Sequence, residues 1–274
     1  MIPAKFDYVR PGNLDETLAI LKDREGEAKL LSGGYSLIPL IKLRLAQPAL
    51  LVDLRDVTGL NGIVETDDYL SIGARATHRQ IHEAEVIRAR YPLLHDVSAT
   101  IGDPQVRNWG TIGGSVAHAD PASDWPAALI AGNATIVCRS QSGDREIASR
   151  DFFLDTFQTA IEPTEVLTEI RVVRRPRASA GAYEKLERKV GDYATVGVAA
   201  IVWLDEAGHI KRAGIGITGV AETPFASTDA EAVLLGNAPT DDLFRAAGAA
   251  AGAQSRRSVT CAGRSNTSGR WPRS

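Results

Sequence analysis

Two glycine pairs flanked by hydroxyl residues are the parts of this sequence best suited to bind a ligand. They lie in Ser32-Gly33-Gly34-Tyr35-Ser36, here called the first glycine loop, and in Thr111-Ile112-Gly113-Gly114-Ser115, the second glycine segment. Because glycine has no Cβ, its N–H group can approach phosphate oxygens closely, and the hydroxyls add donors. Two such segments together could hold a pyrophosphate. A Gly-Gly pair serves a tight turn equally well, and neither pair matches the P-loop or Rossmann pattern, so the glycines alone do not decide the ligand.

The first glycine loop is predicted to connect a strand to a helix. Residues 28–31 are a short candidate for a buried strand, and residues 37–45 carry apolar side chains at helical spacing. The second glycine segment lies in a long predicted loop at residues 103–121. After this loop, Ser123 is predicted to cap a helix that ends near Gly132.

The remaining pattern up to about residue 175 predicts short strands and helices. Asn13 with Glu16, and Thr77 with Gln80, are capping-box signals. They predict helices at 14–24 and 77–90, and a further helix is predicted at 93–101. Strands are predicted at 50–54, 63–65, 69–72, 135–139, 146–148 and 166–172.

The second part of the chain has a different pattern. Long apolar runs at 194–204 and 210–220, joined by a turn, predict an antiparallel sheet, and helices are predicted at 228–235 and 241–253. We therefore expect a first domain of two subdomains, at about 1–55 and 56–175, and a second domain at 176–254. Residues 255–274 contain five arginines, five serines and no carboxylate, and we expect this tail to be disordered.

Charge and hydropathy restrict the class of partner. The net charge of −3 over 274 residues provides no positive field for nucleic acid. The first 12 residues lack the apolar core of a signal peptide, and no stretch approaches the roughly 20 apolar residues of a membrane span. These features predict a cytoplasmic protein.

The thiols and imidazoles do not predict a metal site. Cys138 and Cys261 are too few for a [2Fe–2S] cluster or a structural zinc site, so any iron–sulfur centre is expected on another chain. His78 and His82 are four residues apart on a predicted helix, but no third ligand accompanies them, and they are interpreted as solvated or capping residues. His118 and Asp120 are interpreted as ordinary loop residues.

Residues spread over positions 1–254 resemble the FAD-binding medium subunits of the carbon monoxide dehydrogenase and xanthine dehydrogenase family. The resemblance rests on both glycine segments and on these stretches: Phe6-Asp7-Tyr8, Lys29-Leu30-Leu31, Val106-Arg107-Asn108, Ala119-Asp120-Pro121-Ala122-Ser123-Asp124, Tyr183-Glu184-Lys185 and Gly191-Asp192-Tyr193-Ala194. It implies an α+β fold, in which two subdomains of the p-cresol methylhydroxylase and vanillyl-alcohol oxidase type hold FAD. A C-terminal domain of antiparallel strands and helices follows.

The same resemblance implies which residues contact a non-covalently bound FAD. Both glycine segments would surround the pyrophosphate, with Leu31 entering the site from the preceding strand. Asp124 would contact the sugar-alcohol chain, and Lys185 and Tyr193 would lie near the isoalloxazine. Alternatives remain for each: Asp124 as a helix cap, Lys185 as a solvated strand residue and Tyr193 as a core residue. Tyr35 replaces a histidine that is frequent in the family.

The resemblance further implies a role in electron transfer. A large partner with the molybdenum cofactor would oxidise the substrate, a small partner would carry [2Fe–2S] clusters, and this chain would pass the electrons to an external acceptor. The resemblance favours a carbon monoxide dehydrogenase medium chain, and it implies that the complex is a dimer of heterotrimers. The alternatives are a subunit of an N-heterocycle or aldehyde dehydrogenase, a stand-alone flavin oxidoreductase, and a flavin-free binding module.

The end of the chain departs from the family. Family members continue into segments resembling Asp-Val-Arg-Gly and Glu-Tyr-Lys-Arg, which are absent here. Permissible codons for residues 259–272, read one register away, yield Asp-Val-Arg-Gly-Thr-Ile-Glu-Tyr-Lys-Arg-Ala-Leu-Ala. The hypothesis is that a frameshift or sequencing error produced this terminus, which resequencing of the gene end tests.

Overall fold

The first subdomain is a small parallel sheet with two helices. The computed structural model describes residues 2–262, with side chains up to residue 255. The strands β1 (Asp7–Val9), β2 (Ala28–Leu31) and β3 (Leu50–Asp53) lie in the order β1-β3-β2 and are all parallel. The helices are α1 (Leu14–Asp23) and α2 (Leu37–Lys42). The predicted strand, glycine turn and helix around the first glycine loop are confirmed.

Helix α1 begins where its capping signal predicts. The side chain of Asn13 accepts a hydrogen bond from the N–H of Glu16 at 2.8 Å, which satisfies one of the unpaired donors of the first turn. Leu18 and Leu21 are buried against Leu54, Val57 and neighbouring apolar residues. Helical spacing of the leucines therefore places one face of α1 in a local core.

The second subdomain is a five-stranded antiparallel sheet covered by helices. Its sheet has the order β4-β5-β10-β6-β7, with the strands β4 (Ile63–Glu65), β5 (Tyr69–Gly73), β6 (Thr135–Ser140), β7 (Gly143–Ala148) and β10 (Val166–Val173). The helices are α3 (His78–Glu83), α4 (Glu85–Arg90), α5 (Pro92–Thr100), α6 (Pro104–Trp109), α7 (Ile112–His118), α8 (Asp124–Gly132) and α9 (Ser149–Phe152). A small hairpin follows, formed by β8 (Phe153–Asp155) and β9 (Gln158–Thr159).

Two sequence predictions are wrong in this subdomain. The single helix predicted at 77–90 is two helices, because Ala84 adopts an extended conformation with ψ 120°. The loop predicted at 103–121 contains α6 and α7. Asp103 caps α6 by accepting from Val106 N–H at 2.8 Å, and Pro104 occupies the first helical position, where its missing N–H costs nothing.

The C-terminal domain is a four-stranded antiparallel sheet with two helices. Its elements are β11 (Ser179–Leu186), β12 (Val196–Leu204), β13 (Ile210–Thr218), β14 (Phe225–Ala226), α10 (Thr228–Leu234) and α11 (Asp241–Ala262). The combination of helices with mainly antiparallel sheets confirms the predicted α+β class. Helix α11 extends beyond the predicted end near residue 253, and into the tail that was expected to be disordered. Residues 263–274, with most of the proposed frameshift, lie outside the described residues.

The two domains pack closely where α8 lies on β13. A Cβ added to Gly216 would lie 2.0 Å from the carbonyl oxygen of Ala127, and one added to Gly214 would lie 1.9 Å from that of Ala131. Glycine at both positions lets the helix backbone approach the strand directly. Glu231 of α10 adds an ion pair to Arg150 at 2.6 Å. No helix among residues 2–262 is long and apolar enough to span a membrane.

Substitution of Gly216 tests this packing. Gly216→Ala places a methyl group against the Ala127 carbonyl and should destabilise the fold by about 2–3 kcal/mol, which a thermal melt detects as a lower apparent Tm. The matched control is Gly248→Ala in α11, where the added Cβ meets nothing within 4 Å; it should leave the Tm unchanged or raise it. Equal Tm values for the two variants would contradict the close helix–strand contact.

Candidate functional site

The two glycine segments meet at the boundary between the subdomains. The hydroxyls of Ser32 and Thr111 are 3.0 Å apart. A Cβ added to Gly33 would lie 2.2 Å from the carbonyl oxygen of Trp109 and 3.0 Å from Cα of Gly110. Gly33 is therefore required for the close approach of two backbones, whether or not a ligand is bound.

The first glycine loop offers free donors. The N–H groups of Gly33, Gly34, Tyr35 and Ser36 have no hydrogen-bond acceptor among the described residues. Gly34 has φ +86°, a conformation that side chains disfavour. Successive unpaired N–H groups in such a turn form an anion-binding concavity. The loop follows the carboxyl end of β2 and therefore fits the phosphates of a nucleotide.

The side chains around this loop have different environments. Leu31, at the end of β2, is half-buried, and its Cδ1 lies 3.2 Å from the Cβ position of Gly34. Tyr35 is 41% exposed. Ser36 precedes α2 but makes no capping hydrogen bond with its side chain. The residues are thus brought together as predicted, while their contact with a ligand stays a prediction.

The second glycine segment uses its donors within the protein. Ile112 N–H donates to Ala76 O at 3.0 Å and Gly113 N–H to Ala74 O at 2.8 Å. Gly114 N–H donates to Thr111 Oγ1 at 3.2 Å. The expectation that this pair presents free N–H groups in a loop is wrong, because the residues form the start of α7.

The second glycine segment instead packs closely on the backbone that follows β5, and it carries hydroxyl groups. A Cβ on Gly113 would lie 2.6 Å from Ala74, so this glycine lets α7 rest on the backbone that follows β5. Ser115 Oγ and Ser123 Oγ are 2.7 Å apart. Ligand contact by residues 111–115 therefore remains a prediction that depends on the hydroxyls of Thr111 and Ser115.

Asp124 is the acceptor of a buried network between the domains. It is the first residue of α8, and its Oδ1 accepts from the Tyr183 hydroxyl at 2.5 Å while Oδ2 accepts from Lys185 Nζ at 3.1 Å. Ser123, not Asp124, occupies the N-cap position, so the capping interpretation is wrong. Burial raises the pKa of Asp124, and the charge of Lys185 opposes this shift.

Lys185 is the cation of this network, and its side chain is only 3% exposed. The interpretation as a solvated strand residue is therefore wrong. Nζ also donates to Thr100 O at 3.3 Å and lies 3.4 Å from Glu187, as a buried charge requires. The sequence reasoning missed Tyr183 and Glu187. Their alternation with Lys185 along β11 and beyond was the available signal, because residues two apart share one face of a strand.

Tyr193 lies at the opposite end of the first glycine loop from Trp109. Its side chain is 58% exposed, so the core interpretation is wrong. Partial burial raises the pKa of Tyr193, the charge of Asp120 raises it further, and the nearby Ser36 side chain opposes the shift. The preceding Gly191 has φ +84°, and a Cβ there would lie 3.0 Å from Gly102 O.

The histidines have structural environments. His78 is buried and its Nδ1 accepts from Trp125 Nε1 at 3.0 Å, so its interpretation as a solvated or capping residue is wrong. Burial lowers the pKa of His78 to about 4, with a smaller effect of Arg107. His118 is half-buried and its ring lies 5.0 Å from that of Phe157.

Comparison with known proteins assigns the chain to a family. Residues 4–174 match the FAD binding domain in molybdopterin dehydrogenase, and residues 181–261 match the CO dehydrogenase flavoprotein C-terminal domain. The chain belongs to this family of FAD-binding medium subunits. The free N–H groups of the first glycine loop fit the pyrophosphate of FAD.

Similar proteins extend over most of the subunit. The carbon monoxide dehydrogenase medium chain of Afipia carboxidovorans is 43% identical, over 87% of this chain and 82% of that protein. A solved carbon monoxide dehydrogenase from Hydrogenophaga pseudoflava gives a TM-score of 0.88 at 42% identity, covering 91% of this chain and 87% of that chain. Quinoline 2-oxidoreductase from Pseudomonas putida 86 gives 0.84 at 32% identity, covering 92% and 87%. The subunit is thus part of an oxidoreductase of the molybdenum type.

The buried His78 predicts a pH dependence of stability. Its pKa is about 4 in the folded chain, against an ordinary value of 6.5. In the unfolded chain it therefore gains a proton below pH 6.5, and the stabilisation present above that pH is lost as the pH falls towards 4. From this residue we expect the free energy of unfolding to decrease by about 3 kcal/mol between pH 7 and pH 4.

Denaturant unfolding of variants at both pH values measures this contribution. His78→Asn should lower the stability at pH 7 but reduce its decrease on acidification. His209→Gln, which replaces an exposed histidine, should retain the full decrease. The same pH dependence in all three proteins would show that His78 is not the group responsible.

Proposed function

We propose that this subunit binds FAD non-covalently and relays electrons within a molybdenum hydroxylase of the carbon monoxide dehydrogenase type. The observation that carries the proposal is the set of unpaired N–H groups in the first glycine loop. Four such donors next to the Ser32 and Thr111 hydroxyls provide a site for a pyrophosphate. The family match supplies the identity of the nucleotide.

The residues of the site would hold FAD in an extended conformation between the subdomains. The first glycine loop and the hydroxyls of Thr111 and Ser115 would bind the pyrophosphate. Asp124 would accept from the sugar-alcohol chain, while Lys185 and Tyr193 would lie beside the isoalloxazine. Bound FAD supplies the redox chemistry, and the protein supplies its orientation and electrostatic environment.

The buried network gives the site a fixed electrostatic environment. Because Lys185 is held by Asp124, Glu187 and Thr100 O, its positive charge cannot move away from the site without leaving two carboxylates unpaired. Burial and the Asp124 carboxylate raise the pKa of Tyr183, so its hydroxyl remains a hydrogen-bond donor. We assign no catalytic acid or base to this chain.

The family match supports a transfer role for this subunit rather than substrate oxidation. Burial raises the pKa of the Cys138 thiol to about 12, so Cys138 does not provide a thiolate ligand at neutral pH. We therefore place the [2Fe–2S] clusters on a small partner and the molybdenum cofactor on a large partner. The assembly proposed is a dimer of heterotrimers. The location proposed for the complex is the cytoplasm.

The large partner would bind and select the substrate of the complex. The 43% identity to a carbon monoxide dehydrogenase medium chain favours CO, whereas the similarity to quinoline 2-oxidoreductase supports an N-heterocycle as the second candidate. An aldehyde is a further alternative. A stand-alone flavin oxidoreductase would instead show turnover by this chain with FAD alone.

Alanine substitutions at two glycines with positive φ distinguish a loss of FAD affinity from a loss of stability caused by backbone strain. Gly34 (φ +86°) lies in the first glycine loop, and Gly26 (φ +78°) lies after α1 with open space around its Cβ position. At either position the left-handed backbone makes alanine cost about 1–2 kcal/mol of stability. At Gly34 the added Cβ would also lie 2.7 Å from Ile38 Cδ1, so that side chain must move. Gly34→Ala alone should weaken FAD binding, by at least about ten-fold or 1.4 kcal/mol, because it displaces the N–H donors. Fluorescence titration with FAD measures both variants.

The outcome of this comparison distinguishes the two causes. If Gly26→Ala loses as much FAD affinity as Gly34→Ala, the loss comes from general destabilisation and the loop is not the pyrophosphate site. If the unmodified chain binds no FAD, the proposed function itself fails.

Co-expression of the chain with its genomic neighbours tests the complex. We expect FAD, molybdenum and iron to co-purify, and a dye to be reduced by CO in preference to quinoline-like heterocycles and aldehydes. Preference for another substrate in the panel would correct the substrate while retaining the relay. A chain that purifies alone and oxidises a simple donor with FAD would establish the stand-alone enzyme instead.

A further inference from the structure

Five apolar side chains are exposed along α2, in the turn that follows it and at the start of the chain. They are Ile2, Tyr35, Ile38, Leu43 and Leu45, here called the α2 patch. Leu45 is 73% exposed and Ile2 80%. The Ile2 carbonyl oxygen accepts from Arg44 Nε at 3.2 Å, which joins the start of the chain to the turn. Adjacent exposed apolar side chains of this kind mark an interaction surface.

The turn after α2 holds two of these side chains outward in a fixed conformation. The N–H groups of Leu45 and Ala46 both donate to Leu40 O, at 2.9 and 3.2 Å. Between the exposed leucines, Arg44 has φ 60°, a conformation that residues with a Cβ disfavour. Such conformations are concentrated at functional sites. This one presents Leu43, a cation and Leu45 on the surface in succession.

The charges around the α2 patch are of one sign. Residues 28–52 contain Lys29, Lys42 and Arg44 and no carboxylate, although the whole chain has a net charge of −3. Lys42 and Arg44 are exposed, and neither forms an ion pair within the described part of the chain. Because interacting surfaces have complementary potentials, the surface that covers this patch is apolar and carries carboxylates at its edge.

A protein fits these charges better than a membrane does. Electrostatic recognition of an anionic membrane uses clusters of about four to eight Lys or Arg residues. Residues 28–52 have three cations, which is enough to orient a protein partner but too few to hold a membrane surface.

A second copy of this chain is a poorer fit than a different chain. The acidic surface that a second copy offers is the hairpin of β8 and β9, because residues 151–165 contain four carboxylates and no Lys or Arg. Leu154 and Phe157 of this hairpin are exposed. However, a contact between the α2 patch and the hairpin joins two different surfaces, so it does not close in a dimer and leads to rings or open chains.

The α2 patch adjoins the first glycine loop. A Cβ added to Gly34 would lie 2.7 Å from Ile38 Cδ1, and Tyr35 belongs to both the loop and the patch. Relatives of this subunit are medium chains, which function together with other chains. Electron transfer slows steeply with distance, so the partner that delivers electrons must contact this subunit beside the cofactor site.

We propose that the α2 patch is the docking surface for the iron–sulfur partner, an inference that rests on the proposed function. The partner surface is apolar at its centre and places carboxylates opposite Lys42 and Arg44. Leu43 and Leu45 become buried on association, and the two cations orient the approach of the partner.

The test measures the iron that co-purifies with the tagged full chain after co-expression with its genomic neighbours. The unmodified chain should retain iron and FAD. Combining Leu43→Glu with Leu45→Glu places carboxylates in an apolar contact and opposite other carboxylates. This double variant should lower the iron per chain at least about ten-fold while FAD per chain and Tm are retained. The matched control is Phe244→Glu, at an exposed apolar side chain of α11, which should retain iron as the unmodified chain does.

Substitution of Lys42 tests the charges while the apolar side chains stay in place. Lys42→Gln should lower the iron per chain by up to about five-fold, and Lys42→Glu should lower it further, because the reversed charge repels the partner. Iron should also be lost from the unmodified complex as the salt concentration rises. Full retention of iron in both variants and at high salt would contradict the acidic partner surface.

The remaining outcomes separate this inference from the proposed function. If the unmodified chain carries iron and FAD and the double variant retains both, the docking surface is overturned and the proposed function stands. Loss of molybdenum with retention of iron would assign the patch to the large partner instead. If the unmodified chain co-purifies with neither iron nor FAD, the proposed function fails, and this inference fails with it.

Two further measurements check the other occupants. One is sedimentation of the unmodified complex with phosphatidylglycerol vesicles, and the other is the mass of the unmodified chain alone as its concentration rises. We expect no sedimentation with vesicles and a constant mass. Binding to vesicles or growth in mass that the double variant abolishes would overturn the inference in favour of a membrane or a second copy.

Discussion

The site depends on the contact between Gly33 and the backbone at residues 109–110. With 2.2 Å between a hypothetical Cβ and the Trp109 carbonyl oxygen, no side chain fits between the two subdomains at this point. The contact places the carboxyl end of a parallel sheet against the start of α7, and it brings together two hydroxyls that are 79 positions apart in sequence. The unpaired N–H groups of the first glycine loop lie beside this seam and not on a separate surface.

Two segments with nearly the same residue pattern therefore have different physical roles. In the first glycine loop, positive φ at Gly34 forms a turn whose N–H groups have no acceptor in the described part of the chain. In the second glycine segment the donors are used by α7 and by the carbonyls of Ala74 and Ala76, and Gly113 serves close packing. A Gly-Gly pair in sequence consequently indicates a close backbone approach, but not which group makes that approach.

Local signals in the sequence predicted most of the elements. The capping residues Asn13 and Thr77, the apolar runs of the sheets and the strand before Gly33 all act over a few positions, and the corresponding elements are present. Helices α6 and α7 were missed because the glycines around them outweighed the capping residues Asp103 and Thr111. The partners of buried polar groups were also missed, since His78 meets Trp125 47 positions away and a periodic pattern carries no information about such pairs.

The ion pair between Asp124 and Lys185 crosses the boundary between the two family domains. Asp124 belongs to the match that ends at residue 174, and Lys185 and Tyr183 belong to the match that begins at 181. Each partner is buried and depends on the other for charge compensation. The two domains are therefore not interchangeable modules: a chimera that takes its C-terminal domain from a distant relative must also take a residue at position 124 that matches the new occupants of 183 and 185.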